Sequence, residues 1–182
     1  MSWVEQGQFD RDFARYFARD PDRKIPENAT LVSPADGIIQ NIRFMDGVTY
    51  LVVGLSFWDV HVVRSPVAGT IKSIDMEGSY VSKLTTQKRY MEENFLRGKE
   101  APVEVVLTLG TDRGDVRIRM ITSYWSSRLK VWVHPGEKLN IGDRVGRIVL
   151  GSTVVTEYPG KLLFNVKLGE HVNAGSSPLM IH

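Results

Sequence analysis

The chain contains no cysteine, and this absence excludes disulfide bonds, thiolate metal sites and a cysteine nucleophile. It has no apolar run approaching the ~18 residues that span a bilayer, and its first residues lack the pattern of a signal peptide. An excess of one charge is also missing, because 23 basic and 21 acidic side chains leave a formal net charge of +2. We therefore expect no nucleic-acid partner, and we expect any contact with a membrane to be made from its surface.

The composition that remains is that of a soluble globular protein, with 42% hydrophobic and 24% charged residues. A chain of 182 residues is long enough for one well-packed domain and too short for two ordinary ones. We expect a single domain over residues 1–182, in which residues 1–28 form an N-terminal helix and a proline-rich connector.

The N-terminal segment 4–19 has the periodicity of an amphipathic helix, which ends in the proline-containing stretch 20–26. Its aromatic residues fall on one face of that helix, at Phe9, Phe13, Tyr16 and Phe17. Two roles are open for this face: it packs on the domain, or it lies in a membrane interface.

From residue 30 onward, short β-branched runs separated by glycine and proline predict a mainly β fold. The clearest runs are 50–55, 103–109, 116–121 and 130–133. The polar segment 82–98 predicts a short helix or a long loop over the sheet.

Two internal repeats indicate how these strands are arranged. Segments 31–42 and 63–74 share a Ser-Pro-x-x-Gly pattern, and segments 135–145 and 159–172 share a Pro-Gly…Gly-x-x-Val pattern. Such strand–turn–strand units resemble the barrel-sandwich hybrid of lipoyl and biotinyl domains. No Met-Lys pair is present at a turn tip, so we do not expect a swinging-arm carrier.

A serine follows a glycine at Gly151-Ser152, inside a β-branched run. Such a pair is a candidate for backbone self-cleavage, in which the serine hydroxyl attacks the glycine carbonyl and elimination leaves a pyruvoyl group. Glycine suits this step because it lets the backbone bend and exposes its carbonyl. The other Gly-Ser pairs, at 78–79 and 175–176, are interpreted as turns.

Two more residues are candidates for this chemistry. His61 is a candidate base or acid, since its side chain titrates near neutral pH, and Asp36 is a candidate for orienting it. Each has a structural alternative: Asp36 as a turn residue, and His61 as a hydrogen-bonded core histidine. A hydrolase using Ser152 is disfavoured because a Gly-x-Ser-x-Gly motif is absent. We expect no metal, because the remaining histidines lack metal-ligand spacing with a carboxylate pair: His134, His171 and His182.

Four segments of the chain share their order and spacing with one known family. They are residues 16–26, 31–37, 57–69 and 142–153. In these segments the chain resembles the phosphatidylserine decarboxylases, particularly the short bacterial and archaeal members. The resemblance implies a pyruvoyl-dependent decarboxylase that converts phosphatidylserine to phosphatidylethanolamine and carbon dioxide. It also implies a proenzyme cut between Gly151 and Ser152, with a β-chain body over 29–151 and an α chain over 152–182.

The same resemblance implies roles for individual residues. Asp36 matches the family's maturation aspartate, and His61 matches the first histidine of a motif implicated in decarboxylation. Arg64, Asn94 and Arg128 are implied to lie at the substrate site. The substrate amine would condense with the pyruvoyl ketone made from Ser152, whose conjugated carbonyl accepts the electrons left by carbon dioxide.

The partners implied are a phospholipid substrate, an anionic membrane surface and the protein's own cleaved chains, with a homo-oligomer left open. The implied location is cytoplasmic and peripheral, on the inner face of the cell membrane. One alternative is a related decarboxylase that acts on another serine lipid or on a soluble amino acid. Another is a non-catalytic barrel-sandwich binding module that has kept the fold and lost maturation.

Overall fold

The computed structural model describes residues 15–16, 18–78, 104–121, 128–149 and 153–182. Within these ranges the chain forms thirteen β-strands and no complete helix, which confirms the predicted mainly β fold. The strands are β1 (Ala29–Val32), β2 (Gly37–Met45), β3 (Val48–Gly54), β4 (Val62–Arg64), β5 (Gly69–Glu77), β6 (Glu104–Thr111), β7 (Gly114–Ile121), β8 (Arg128–Val131), β9 (Lys138–Leu139), β10 (Arg144–Val149), β11 (Thr153–Pro159), β12 (His171–Val172) and β13 (Pro178–Ile181). The segment 82–98 and most of the predicted N-terminal helix lie outside the described residues.

An eight-stranded antiparallel sheet, curled into a half-barrel, forms the body of the fold. Its strand order is β12-β2-β3-β11-β7-β6-β5-β9. A three-stranded sheet, β4-β10-β8, and a two-stranded sheet, β1-β13, complete the described architecture. β11 lies in the middle of the large sheet, paired with β3 on one side and with β7 on the other.

The two predicted repeats correspond to two halves of this architecture. In the first half, β1 pairs with β13 and β2 pairs with β12. In the second half, β4 pairs with β10 and β5 pairs with β9. The large sheet is therefore arranged symmetrically about its centre. From one edge, β12, β2, β3 and β11 correspond to β9, β5, β6 and β7 from the other edge. The sequence repeats are thus structural repeats, each of which contributes matching strands to the sheet.

The turn that joins the first two strands of each half has the same construction. The Ser33 hydroxyl donates to the Ala35 carbonyl at 2.7 Å, and the Ser65 hydroxyl donates to the Val67 carbonyl at 2.6 Å. A serine that bonds its own turn in this way stabilises the reversal of the chain. Gly37 and Gly69 end these turns and begin β2 and β5. At each glycine the backbone of the neighbouring strand lies too close to leave room for a side chain. The repeated Ser-Pro-x-x-Gly pattern therefore specifies a turn.

The hydrophobic core lies against one face of the curled sheet, because alternate residues of each strand point to that face. Among its fully buried members are Ile39, Leu51, Ile71, Leu107, Ile118 and Val154. A smaller apolar cluster belongs to the opposite face, at Tyr50, Val52, Ile121 and Val155.

A buried ionic cluster joins three central strands. Arg119 of β7 is 0% exposed and donates Nε and Nη2 to the two carboxylate oxygens of Glu104 in β6, at 2.9 and 2.8 Å. Its Nη1 donates to Glu157 of β11 at 3.3 Å. Burial raises the pKa of Glu104, although Arg119 opposes the shift. The cluster thus links β11 to β6 and β7. Removing one of its members would leave an uncompensated buried charge.

Candidate active site

The predicted cleavage pair lies in the segment 150–152, which is outside the described residues, but both flanking strands are described. β10 ends at Val149, and β11 begins at Thr153. Thr153 pairs with Gly54 of β3 and with Ile121 of β7. The chain that carries the cleavage pair therefore runs from the three-stranded sheet into the centre of the eight-stranded sheet.

His61 lies beside the strand that leads into this segment. The backbone N–H of Ile148 in β10 donates to the His61 carbonyl at 3.0 Å. The contact continues into β4, where Val62 pairs with Arg147 of β10. The His61 side chain is buried, at 1% exposure. The fold thus places a buried imidazole next to the approach to Gly151-Ser152.

Several charges act on the His61 imidazole. Burial lowers its pKa below the ordinary value of 6.5, and this effect outweighs a hydrogen bond to the Asp59 backbone and the attraction of the Asp59 carboxylate. Repulsion from Arg19 and Arg147 lowers the pKa further. The neutral form of His61 therefore predominates at neutral pH, and a neutral imidazole is able to accept a proton.

Asp36 is a buried carboxylate with a partner on each oxygen. It is 4% exposed, its Oδ2 pairs with Arg23 Nη2 at 2.6 Å, and its Oδ1 accepts the backbone N–H of Ala174 at 2.7 Å. Neither partner is His61, the histidine for which Asp36 was a candidate orienting group. Arg23 comes from the N-terminal connector, and Ala174 follows the predicted cleavage site. Asp36 therefore binds the N-terminal connector and the segment after β12 to the turn between β1 and β2.

The second repeat shows that this turn does not require an aspartate. Ala68 occupies the position equivalent to Asp36, 32 residues later, in a turn closed by the same serine hydroxyl bond. A buried carboxylate is costly unless it is paired. The carboxylate of Asp36 is therefore not explained by turn formation alone.

The sheet register brings Asp36 towards the cleavage segment. Asp36 stands two residues before Ile38, which pairs with Gly54, and Gly54 in turn pairs with Thr153. Since neighbouring strands lie about 4.8 Å apart, Ile38 and Thr153 are separated by about 10 Å. The His61 strand is fixed to the same turn, because the Arg64 backbone N–H donates to the Pro34 carbonyl at 2.8 Å. Asp36 and His61 thus lie towards the end of the sheet at which β11 begins.

An acid–histidine pair that the sequence reasoning missed adjoins His61. The Asp59 Oδ1 and the His171 Nε2 are 2.7 Å apart, and the Asp59 Oδ2 accepts the Ser56 backbone N–H at 2.6 Å. Burial would raise the pKa of Asp59, but hydrogen bonds from Ser56 and His171 together lower it. His171 follows the predicted cleavage site and Asp59 precedes it. No local spacing signals this pair, because 112 residues separate its members.

Arg64 is buried in contacts within the protein. Its Nη1 donates to the Gly142 carbonyl at 3.0 Å, and its Nη2 donates to the Asp20 carboxylate at 3.0 Å and to the Pro21 carbonyl at 3.1 Å. Burial lowers its pKa, and repulsion from Arg144 adds to the shift. Arg64 therefore fastens the N-terminal connector to the turn between β9 and β10. Its predicted contact with substrate stays a prediction.

The two other predicted substrate residues are placed only in part. Arg128 begins β8 and pairs with Val149 at the end of β10, but its side chain lies outside the described residues. Asn94 lies entirely outside them. Among the described residues, no three histidine or carboxylate side chains group as metal ligands would. In the same part of the chain, no helix is long and apolar enough to cross a membrane.

Comparison with known proteins identifies the family. A family model described as phosphatidylserine decarboxylase matches residues 11–179. A phosphatidylserine decarboxylase proenzyme of Solibacter usitatus is 31% identical over 91% of this chain and 76% of its own length. One of Streptomyces coelicolor is 33% identical over 88% of this chain and 69% of its own length. An Archaeoglobus fulgidus protein, provisionally named archaetidylserine decarboxylase proenzyme, is 32% identical over 91% of this chain and 76% of its own length.

These matches show that the protein is a decarboxylase, and thus a carboxy-lyase, of phospholipid metabolism. Because the family model covers most of its length, the chain belongs to the phosphatidylserine decarboxylase family. The resemblance in the four sequence segments is thereby confirmed.

Proposed function

We propose that this protein decarboxylates phosphatidylserine to phosphatidylethanolamine, using a pyruvoyl group that it makes from Ser152 by cutting its own chain after Gly151. The observation that carries the proposal is the position of His61, buried and with a lowered pKa, beside the strand that leads into this pair. The names of the relatives as proenzymes support a processed chain.

Self-cleavage begins with attack of the Ser152 hydroxyl oxygen on the Gly151 carbonyl carbon. This attack exchanges the amide bond for an ester and requires a base for the hydroxyl proton. Elimination then breaks the bond between Oγ and Cβ of the serine, so that the upstream chain ends in the carboxylate of Gly151. Water replaces the nitrogen of the resulting dehydroalanine, and ammonia leaves. The new chain, residues 152–182, begins with the pyruvoyl group.

The residues around the segment fit a carbonyl group of this kind. When present, the pyruvoyl group supplies an electron-accepting carbonyl for the carbon that loses carbon dioxide. His61 is neutral at neutral pH, so it can take a proton and return it to substrate without an external acid. Its burial keeps bulk water away from the imidazole. Asp36 is bound to Arg23 and Ala174, and these contacts support a role in holding the site together during maturation.

A second candidate substrate is archaetidylserine, the serine lipid that the name of the Archaeoglobus fulgidus relative mentions. That relative is as similar to this chain as the bacterial relatives are. The serine headgroup is shared by both lipids, and the lipid backbone and its chains differ. Parallel assays with the two lipids decide between them.

The test is the intact mass of the purified protein, measured with and without an amine and cyanoborohydride. Two chains are expected, and the smaller one, residues 152–182, should gain mass by reductive amination. Ser152→Ala should remain one chain of 20.5 kDa that releases no carbon dioxide from carboxyl-labelled phosphatidylserine. Ser176→Ala, which alters another Gly-Ser pair, is the matched control and should mature normally.

The outcomes separate the alternatives. Normal cleavage of Ser152→Ala would refute self-processing at this residue. An uncut and inactive unsubstituted protein would instead favour the binding module. Carbon dioxide from free serine but not from lipid would favour a soluble amino acid as substrate. His61→Ala should reduce decarboxylation by about 100-fold or more, the usual size of a general acid–base contribution.

A further inference from the structure

A group of exposed aromatic rings, with two half-buried arginines among them, lies beside His61. Trp58 is 72% exposed, Phe57 is 42% exposed and Trp132 is 41% exposed. Most large apolar side chains in the described residues are buried, so three large exposed rings near one site are unusual for a protein surface. We call this group the aromatic–arginine surface, and define it as Tyr16, Arg19, Phe57, Trp58, Trp132 and Arg147.

Direct contacts hold the first part of this surface in place. The Trp58 ring meets the rings of Tyr16 and Phe57 edge-on, with centroids 5.8 Å apart in both pairs. The Trp58 carbonyl accepts the Tyr16 hydroxyl at 2.9 Å and Arg19 Nη2 at 2.8 Å. Arg19 also lies over the Tyr16 ring, 3.7 Å from its centroid. These contacts therefore fix the positions of the Phe57 and Trp58 rings on the surface.

The second part is joined to the first through the N-terminal connector. Arg147 Nη2 donates to the Ala18 carbonyl at 3.0 Å, one residue before Arg19. The Arg147 guanidinium lies 5.3 Å from the centroid of the Trp132 ring. The two arginines thus link exposed rings from three separate stretches of sequence.

The arginines of this surface have no carboxylate partner among the described residues. Among the residues that the structure describes, neither Arg19 nor Arg147 is in an ion pair; their hydrogen bonds go to backbone carbonyls. Arg144, in contrast, is paired with both Asp20 and Asp22. Two unpaired guanidinium groups among exposed rings complement an anionic surface that has an apolar interior.

We propose that the aromatic–arginine surface docks the protein on a bilayer that contains anionic phospholipid. Trp58 and Trp132 lie at the headgroup level, where amphipathic rings are favoured, and Arg19 and Arg147 contact lipid phosphates. The inference rests on the proposed function in one respect: a site that draws its substrate from a bilayer must face that bilayer. Because His61 adjoins the same surface, docking would bring the headgroups to the site.

Vesicle co-sedimentation of the purified full chain tests the proposal. The probe is vesicles of phosphatidylcholine with phosphatidylglycerol, which lacks an amine and cannot be a substrate. The protein should bind these vesicles, be released by high salt and bind weakly to phosphatidylcholine alone. Arg19→Gln with Arg147→Gln should lower the partition coefficient by about 30-fold, since each arginine near an anionic surface contributes a factor of about five.

Three further variants make the test specific. Trp58→Ala with Trp132→Ala should lower binding by about 10-fold or more, because apolar ring area no longer leaves water. Arg19→Lys with Arg147→Lys retains the charge and should retain most of the binding. Phe44→Ala with Lys161→Gln is the matched control and should bind as the unsubstituted protein does. Phe44 is 48% exposed and lies 6.0 Å from Lys161 Nζ, at the far end of the sheet.

Each outcome decides the matter. Failure of the unsubstituted protein to bind the anionic vesicles would overturn the proposal, as would equal losses in the control pair. Binding that survives both the arginine and the tryptophan substitutions would place the contact elsewhere and also overturn it. The uncut Ser152→Ala protein should bind the vesicles normally. The binding result can therefore be interpreted even if the protein proves not to be a decarboxylase. Activity on a short-chain, water-soluble phosphatidylserine without vesicle binding would overturn the docking surface alone.

Discussion

At the scale of single residues, the state of His61 depends on charges that lie in different parts of the chain. Burial is the largest influence on its pKa, and the Asp59 carboxylate acts against the repulsion from Arg19 and Arg147. The sign of each contribution can therefore be tested by removing one charge at a time.

Asp59→Asn should lower the pKa of His61 further, because an attractive negative charge is lost. Arg19→Gln and Arg147→Gln should each raise it, because a repulsive positive charge is lost. The measurement is an NMR titration of the His61 ring, compared with the acid limb of the decarboxylation rate. Arg113→Gln, in the exposed turn between β6 and β7, is the control and should leave the titration unchanged. A shift in the same direction for the aspartate and arginine variants would contradict the electrostatic account.

The lowered pKa also predicts how stability changes with pH. Below pH 6.5 the unfolded chain takes up a proton on this histidine more readily than the folded protein does. The His61 contribution therefore reduces the free energy of unfolding as the pH falls through 6.5, and the loss stops below the folded-state pKa. His61→Gln should remove this part of the pH dependence in urea denaturation at several pH values. An unchanged pH dependence in that variant would contradict the prediction.

Among the described residues, Arg23 is the side chain that pairs with Asp36, and the sequence analysis did not single it out. Arg23→Met should destabilise the protein by about 3 kcal/mol, because it leaves a buried carboxylate without its cation. It should also slow self-cleavage if Asp36 acts in maturation. Urea denaturation and the time course of chain separation measure the two effects. Lys24→Met, at the exposed neighbouring position, is the control and should change neither.

At the scale of structural elements, the two repeats explain which residues the fold needs and which it does not. Both turns keep serine and glycine, while Asp36 is replaced by Ala68. Gly37 has a φ of +146°, and a Cβ there would press directly against the Gly54 carbonyl oxygen. A Cβ at the equivalent Gly69 would lie 2.6 Å from the carbonyl oxygen of Gly110. These glycines therefore permit the close pairing of the first long strand in each half.

Gly37→Ala should destabilise the protein by about 2 kcal/mol or more, since the clash is with backbone that cannot move alone. Gly47→Ala is a suitable control, because Gly47 also has a positive φ, of +78°, but its surroundings are open. The control should cost only about 1 kcal/mol. Thermal unfolding of both variants provides the comparison. Equal destabilisation would show that backbone conformation, and not crowding against β3, accounts for the need for glycine.

At the scale of the whole molecule, the segment after the predicted cleavage site is built into every described sheet but one. β11 is central in the large sheet, β12 pairs with β2, and β13 pairs with β1. Asp36 and Asp59 add polar contacts from the upstream chain to Ala174 and His171. Cutting one peptide bond between β10 and β11 removes none of these interactions.

We therefore expect residues 152–182 to stay bound after cleavage and to leave only when the whole protein unfolds. Native mass spectrometry should show one non-covalent complex, and denaturing conditions should show two chains. Size-exclusion chromatography in high salt should not separate them, because most of the contact is backbone pairing and apolar burial. Loss of the small chain under native conditions would contradict this prediction.

Local patterns in the sequence were sufficient for the β class and for the repeats. They succeed because strand alternation and turn chemistry act between residues close in sequence. The same patterns did not reveal that Asp36 binds Arg23, or that Asp59 binds His171. They also suggested that Asp36 orients His61, whereas both Asp36 oxygens are bonded to other groups.

Local sequence is enough to recognise the clearest strands, the glycines and serines of the two repeated turns, and the motifs of the decarboxylase family. The pairing of charges depends instead on how the chain folds, which brings together Arg23 with Asp36, Arg119 with Glu104 and Glu157, and Asp59 with His171. The physical reason is that a strand or turn depends on neighbours along the chain, while an ion pair depends on distance in space. That distance is set only when the curled sheet has brought its strands into register.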